Sequence, residues 1–303
     1  MLSAKSHNTT EKQVKLASLA GFCYGVSRAV DLCLKTKKNN PNRFVCVLGK
    51  LIHNNQAIQY LEEEGILTVN SIEDVPENSI CIIRSHGEGP TILKKLQEKN
   101  VTIVDATCPD VKHVQSTAAQ LATEDYQVII FGQEDHPEVV AIREHVDSQQ
   151  KKKALVISSI QEIEQYKEII TKAKKVGVVT QTTQSTDKFN SLISHISSLS
   201  YEIRSFNTIC NTTSKRQELA KELAKEVDFM VIIGSKSSSN TTHLTEICKA
   251  INKNTVHVEN TEELKNYDLC NFNSIGVTAG ASTPKFIIDE VMQYLTKNQC
   301  KGE

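Results

Sequence analysis

Apolar residues along this chain recur in two alternating rhythms. Short apolar runs such as VTIV at 101–104, YQVIIF at 126–131 and DFMVII at 228–233 have the length and β-branched content of buried strands. Between such runs the spacing lengthens to that of a helix. Val26, Ala29, Val30, Cys33 and Leu34 fall on one helical face; so do Val111, Val114, Ala118, Leu121 and Ala122, and again Leu219, Ala220, Leu223 and Val227. Each of these three helices starts just after a cysteine: Cys23, Cys108 and Cys210. A strand-like segment precedes each cysteine. Each helix leads to a second apolar strand that stops at a glycine (Gly49, Gly132, Gly234), 26, 24 and 24 residues after its cysteine. The three stretches then continue alike to the polar loops RSHGEG, TQTTQS and TAGASTP.

This recurrence predicts an α/β protein of three related units with mainly parallel sheets. The expected boundaries are a tail over 1–14, units over 15–108, 109–209 and 210–303, and a terminal helix starting near Ser282 or Thr283. Ligands of such sheets bind beyond the carboxyl ends of the strands. Nine such ends bearing Cys, His, Ser, Thr and Asn argue for one central site.

Composition narrows the classes. Lys and Arg total 35 against 36 Asp and Glu, so no excess of positive charge marks a nucleic-acid or membrane-surface protein. The longest apolar runs are too short to span a bilayer. The opening MLSAKSHNTTEK lacks an apolar stretch and reads as a tail, not a targeting peptide. Nine scattered cysteines with no CxxC pair argue against a disulfide scaffold and a zinc ribbon. The expected compartment is a reducing cytoplasm.

Cys33, Cys46, Cys81 and Cys248 lie within apolar elements and read as small core residues. Cys23, Cys108 and Cys210 stand at helix starts, where the dipole favours thiolate. Three converging thiolates suit zinc with a histidine as fourth ligand, or an iron–sulfur cluster with one iron left open. Around them the strand-end loops supply His53, His86, His136 with Glu138, the run Ser238, Ser239, Asn240, and Ser282. Histidines and hydroxyls near helix starts make an anion cradle, for which diphosphate is the natural occupant. No GxxxxGK[ST] and no GxGxxG occurs, which disfavours nucleotide cofactors bound in the usual ways.

The motifs GFCYGV, HN, SHG, DATCP, HPEV, TQTT, Cys-x-x-Thr-x-x-Arg-Gln at 210–217, GSKSSSN and TAGAS occur in this order through residues 15–295. Together they resemble the 4-hydroxy-3-methylbut-2-enyl diphosphate reductase family. The resemblance implies three pseudo-symmetric α/β units around a central [4Fe–4S] cluster held by Cys23, Cys108 and Cys210. It places diphosphate contacts at His53, His86, His136, Ser238, Asn240 and Ser282, with Ser239 beside them. It places Thr182 at the substrate hydroxyl and Glu138 as proton donor; Gln181 and Thr213 are neighbouring positions. It implies reductive dehydroxylation to isopentenyl and dimethylallyl diphosphate, the last step of the methylerythritol phosphate route. Ferredoxin or flavodoxin would donate electrons to a cytoplasmic monomer or homodimer. Tyr24 and Glu88 depart from the family pattern, as does the missing Gly-Thr after HPEV. A cluster-bearing sensor and a zinc hydrolase are the rival readings.

Overall fold

The computed structural model describes residues 12–297. Of the tail expected over 1–14, residues 1–11 lie outside the described residues, and Gln13 and Val14 already belong to a strand. In chain order the elements are β1 (Gln13–Leu16), α1 (Tyr24–Asn39), β2 (Val45–Leu48), α2 (Asn55–Glu63), β3 (Ile66–Val69), β4 (Ile80–Ile83), α3 (Pro90–Glu98) and β5 (Thr102–Asp105). Next come α4 (Pro109–Thr123), β6 (Gln127–Phe131), α5 (Pro137–Asp147), β7 (Leu155–Ile157), α6 (Ile163–Lys172), β8 (Lys175–Thr180), α7 (Thr186–Leu199) and β9 (Glu202–Ser205). The chain closes with α8 (Asn211–Glu226), β10 (Phe229–Ile233), α9 (Ser239–Ile251), β11 (Thr255–Val258), α10 (Thr261–Leu264), β12 (Ser274–Ala279) and α11 (Lys285–Lys297).

The strands form three four-stranded sheets, ordered β3-β2-β4-β5, β7-β6-β8-β9 and β1-β12-β10-β11. Every pairing is parallel. Parallel neighbours need long crossovers, and helices covering both faces fill that need. The central strands are therefore apolar on both sides. In β2 and β4, Val45, Val47, Ile80 and Ile82 face one core while Cys46, Leu48, Cys81 and Ile83 face another. The sheet built on β6 and β8 divides likewise, Val128, Ile130 and Val179 from Ile129, Phe131 and Val178. So does the third, Met230 and Ile232 from Phe229, Val231 and Ile233.

The three parallel sheets agree with the expected fold class; the way the sequence units map onto them differs. β1, placed by the sequence at the start of the unit over 15–108, pairs with β12, Gln13 opposite Ser274 and Leu16 opposite Val277. β5 completes the sheet of β2–β4, and β9 that of β6–β8. Each segment leading to a cysteine thus finishes one sheet before its helix begins the next. Two compact units result, residues 1–21 with 215–303, and residues 22–214. Cys23, Cys33, Cys46, Cys81, Cys108, Cys210 and Cys248 are free thiols. No helix among the described residues is long and apolar enough to cross a membrane.

The burial contrast sets a stability prediction. Ile82 in central strand β4 is fully buried, whereas Leu67 on edge strand β3 is 43% exposed. Ile82→Ala is expected to cost about 2–5 kcal/mol, and Leu67→Ala at most about 0.5 kcal/mol. Urea denaturation of both variants measures the difference.

Candidate active site

Within residues 22–214, the three repeated cysteines each close a connection and open a helix. Cys23 is the N-cap of α1 and its Sγ accepts the Val26 N–H at 3.4 Å. Cys108 caps α4, and Pro109 occupies the first helical turn, where no N–H is needed. The Cys108 N–H donates to Ser85 O at 2.9 Å, and the Cys210 N–H to Thr182 O at 3.1 Å. Cys210 Sγ accepts the Thr213 N–H at 3.4 Å and lies 3.0 Å from Thr213 Oγ1. Gly25 stands between two of the sulfurs. A Cβ there would fall 2.6 Å from Cys108 Sγ and 3.9 Å from Cys23 Sγ. Only glycine leaves that space open.

At Cys108 and Cys210 the helix start pulls toward thiolate, as the sequence led us to expect, but burial opposes it. Burial pushes the Cys108 thiol up to about 11, against the pull of the Asp110 and Val111 N–H groups; Asp110 and Cys23 add to the rise. Burial raises Cys210 as well, opposed by Thr213. Desolvation outweighs the helix-terminal donors here. A cation is what would bring these sulfurs to their ionised form. Cys33 is pushed up to about 12 by burial alone and has the core role read from the sequence.

Three histidines from separate elements meet near this region. His53 precedes Asn54, whose Oδ1 caps α2 by accepting the Ala57 N–H at 2.9 Å. His86 follows Ser85, which is tied to Leu51 O through both its N–H and its hydroxyl. His136 is the N-cap of α5. Ring centroids are 4.6 Å apart for His53–His86, 5.2 Å for His53–His136 and 5.4 Å for His86–His136. Burial lowers His53 to about 4, helped by the charges of Arg84 and Lys50. Burial also holds His86 well below its ordinary range, with His53, His136 and Arg84 adding to the effect.

Ring nitrogens of the three lie within 4.8 Å of one another, which is compatible with a metal ion. The tautomer of His136 argues otherwise. Its Nδ1 accepts the Glu138 N–H at 3.2 Å, so in the neutral ring the proton sits on Nε2. That nitrogen is then a donor, suited to an anion. Arg84 adds positive charge beside the cluster; its Nε lies 2.7 Å from Glu88 Oε1.

Glu138 is 1% exposed. Its Oε1 accepts the Thr182 N–H at 2.7 Å, and its Oε2 lies 2.8 Å from Thr182 Oγ1. Burial raises the carboxyl to about 7; the two Thr182 bonds oppose this and Asp110 reinforces it. Thr182 therefore joins Glu138 on one side to the Cys210 amide on the other. The loop is braced by Gln181, whose Oε1 accepts the Gln133 N–H at 3.1 Å and whose Nε2 donates to Thr183 Oγ1 at 3.0 Å.

The remaining candidates lie in the unit of residues 1–21 and 215–303. Ser238 caps α9, its Oγ accepting the Thr241 N–H at 3.4 Å. Ser239 and Asn240 fill the first turn, buried, and Asn240 Nδ2 has no hydrogen-bond partner. Ser282, also buried, is in the loop after β12. That loop passes close to α9: a Cβ on Gly280 would fall 2.0 Å from Thr241 Oγ1. A buried donor without a protein acceptor at a helix start, Asn240 Nδ2, suits an anion. The sequence reading missed Arg84 and Thr241. Arg84 stands two residues before His86 and Thr241 just after Asn240, so both were within reach of the motifs.

The LytB protein family model matches residues 14–296. The chain is similar to the 4-hydroxy-3-methylbut-2-enyl diphosphate reductase of Clostridium tetani, 44% identical over 279 residues, covering 91% of this chain and 42% of that protein. It is also similar to the protein of that name from Clostridioides difficile, 38% identical over 282 residues, covering 93% and 98%. The chain spans less than half the length of the C. tetani relative and of one from Clostridium acetobutylicum, of which it covers 44%. Among solved structures, the E-1-hydroxy-2-methyl-but-2-enyl-4-diphosphate reductase from Plasmodium falciparum superposes with a TM-score of 0.85 at 27% identity, over 95% of this chain and 88% of that one. A structure of (E)-4-hydroxy-3-methyl-but-2-enyl diphosphate reductase, described as the terminal enzyme of the non-mevalonate pathway, gives 0.69 at 38% identity, over 94% and 99%.

Burial of Glu138 and His53 makes stability depend on pH in opposite senses. Glu138 keeps its proton to about pH 7 when folded, against an ordinary 4.5. Between these values the native state binds the extra proton, so this group's contribution is lost as pH rises. Glu138→Gln is therefore expected to gain stability over wild type from pH 4.5 to 7 and no more above it, on the order of 3 kcal/mol in all. His53 falls from 6.5 to about 4 on folding, so its contribution holds above 6.5 and is lost as pH falls through 4. His53→Gln should flatten the acid limb. Urea titrations across this pH range measure both slopes.

Proposed function

The chain belongs to the LytB protein family, and we propose that it is a 4-hydroxy-3-methylbut-2-enyl diphosphate reductase. The reaction removes the substrate's hydroxyl as water, using two electrons and two protons, and gives isopentenyl and dimethylallyl diphosphate. One observation carries this reading. Glu138, a buried carboxyl whose burial keeps it protonated near neutrality, bonds to Thr182, and the carbonyl of Thr182 holds the amide of Cys210. A proton donor and a prospective metal ligand thus meet at one residue. A sensor would need no such acid.

A [4Fe–4S] cluster on Cys23, Cys108 and Cys210 is the cofactor we assign. The donor set is three free thiols, and the space kept open by Gly25 beside two of them suits a bulky centre. When bound, such a cluster supplies the electrons and an open iron acting as Lewis acid toward the substrate hydroxyl. The protein's residues do the rest. Thr182 Oγ1 hydrogen-bonds the hydroxyl, and Glu138 delivers a proton through it to the departing oxygen. His53, His86 and His136 are diphosphate contacts, His136 through Nε2–H; Ser238, Ser239, Asn240 and Ser282 are further candidate contacts for it. That His136 tautomer also weighs against a zinc hydrolase. The electron donor is a ferredoxin or flavodoxin, and a reducing cytoplasm is the compartment that preserves the thiols.

Iron and sulfide analysis with anaerobic turnover of the diphosphate substrate, using a reduced viologen, tests the assignment. Cys108→Ser should lose the cluster and Cys33→Ser should retain it, read from iron content and visible absorbance after reconstitution. Both variants keeping full iron and full activity would break the ligand assignment. Glu138→Gln should keep cluster and substrate binding while the rate under excess reductant falls by about 10²–10⁴, the usual loss for a positioned acid. Near-normal turnover of the iron-replete variant would remove Glu138 from proton delivery.

A further inference from the structure

Two arginines that take no part in this chemistry share an arrangement. Arg28 stands in the second turn of α1, the helix begun by Cys23. Its Nη1 donates to the main-chain carbonyls of Ala106 at 3.4 Å and Thr107 at 3.2 Å, the two residues before Cys108. Arg216 stands in the second turn of α8, the helix begun after Cys210, and is 1% exposed. Its Nη1 donates to Leu19 O at 3.1 Å and Ala279 O at 2.6 Å, and its Nη2 to Gly21 O at 2.8 Å. Gly21 lies two residues before Cys23. Ala106 O and Thr107 O, and likewise Leu19 O and Gly21 O, belong to the stretch between an edge strand and a cysteine, beyond the last paired residues, Asp105 of β5 and Leu16 of β1. Ala279, at the end of β12, ties Arg216 to the neighbouring central strand.

We propose that Arg28 and Arg216 are positioning residues for Cys108 and Cys23. Each projects from the helix that starts at one cysteine and braces the segment that delivers another. This rests on the assignment of the three cysteines as a ligand set. A guanidinium suits the task because its planar fork meets several carbonyls at once, which a lysine ammonium does not match. The placement is demanding, since a Cβ on Gly25 would already come within 2.6 Å of Cys108 Sγ. The third segment, before Cys210, is held by other means. Thr208 Oγ1 accepts the Thr180 N–H at 2.9 Å and donates to Thr180 O at 2.6 Å, while Asn207 Oδ1 accepts the Ile209 N–H at 3.2 Å. Cys210 is therefore an internal control.

The test follows the alkylation of each cysteine by iodoacetamide in the iron-free full chain, resolved by mass spectrometry. Arg28→Gln should speed modification of Cys108 by about tenfold, the scale of losing a hydrogen bond from a charged donor, with Cys210 unchanged. Arg216→Gln should do the same at Cys23. Arg28→Lys and Arg216→Lys should lie between, since charge is kept and the fork is lost. In the iron-loaded protein, each glutamine variant should release iron to a chelator faster than wild type. A rise at all three cysteines together, or at none, would overturn the proposal, because general loosening has no site preference. Should Arg216→Gln fail to fold, Arg216→Lys and the Arg28 pair decide the same question. A wild-type protein that takes up no iron would sink the ligand assignment, while the alkylation pattern would still decide whether the braces exist.

Discussion

Parallel pairing of the edge strands is the constraint on which the placement of the site depends. β1, β5 and β9 each lie at the edge of a sheet, joined on one side only. Because every ladder is parallel, the chain cannot turn back through a hairpin at the carboxyl end of such a strand. It leaves the sheet, turns into a helix at a cysteine, and runs to the central strand of another sheet, β2, β6 or β10. The cysteines occupy those three departures. Helix starts there offer N–H groups, as at Val26 and Thr213, and the loops beside them carry His86 and Thr182, bonded through Ser85 O and Thr182 O to the cysteine amides.

Burial is the largest influence on the charge state of five reactive groups. It raises Cys108, Cys210 and Glu138 and lowers His53 and His86. At Glu138 it prevails over two hydrogen bonds that favour the carboxylate. The neutral carboxyl of Glu138 has a proton to give. The ion pairs of the surface, such as Lys172 with Glu168, are exposed on both sides and carry little of this energy.

Much of this was legible in the sequence, for reasons that can be named. The central strands are buried on both faces, so β2, β6 and β10 stand out as unbroken apolar runs, and the helices after each cysteine keep one apolar stripe. Glu138 and the three histidines drew notice because they sit in short polar loops directly after such runs, and Thr182 through the family motif TQTT. What escaped was pairing across distance. QVKL gives no sign that it joins β12, since strand partners leave no local mark. The helix-start N–H groups do favour thiolate at Cys108 and Cys210, but burial, which a motif does not reveal, outweighs them. Arg216 looked like one more helical cation, yet it lies buried on three carbonyls that only the fold brings together.

The pairing of β1 with β12 also bears on how the chain is made. Its partner residues are about 260 positions apart, so on the ribosome the first strand is finished long before the last exists. For that interval β1 must wait in water without joining anything else. Its sequence fits the wait: Gln13 and Lys15 interrupt the apolar residues, and even in the finished sheet Leu16 stays 45% exposed. A strand like β10, FMVII, buried throughout, would in that position be an aggregation hazard.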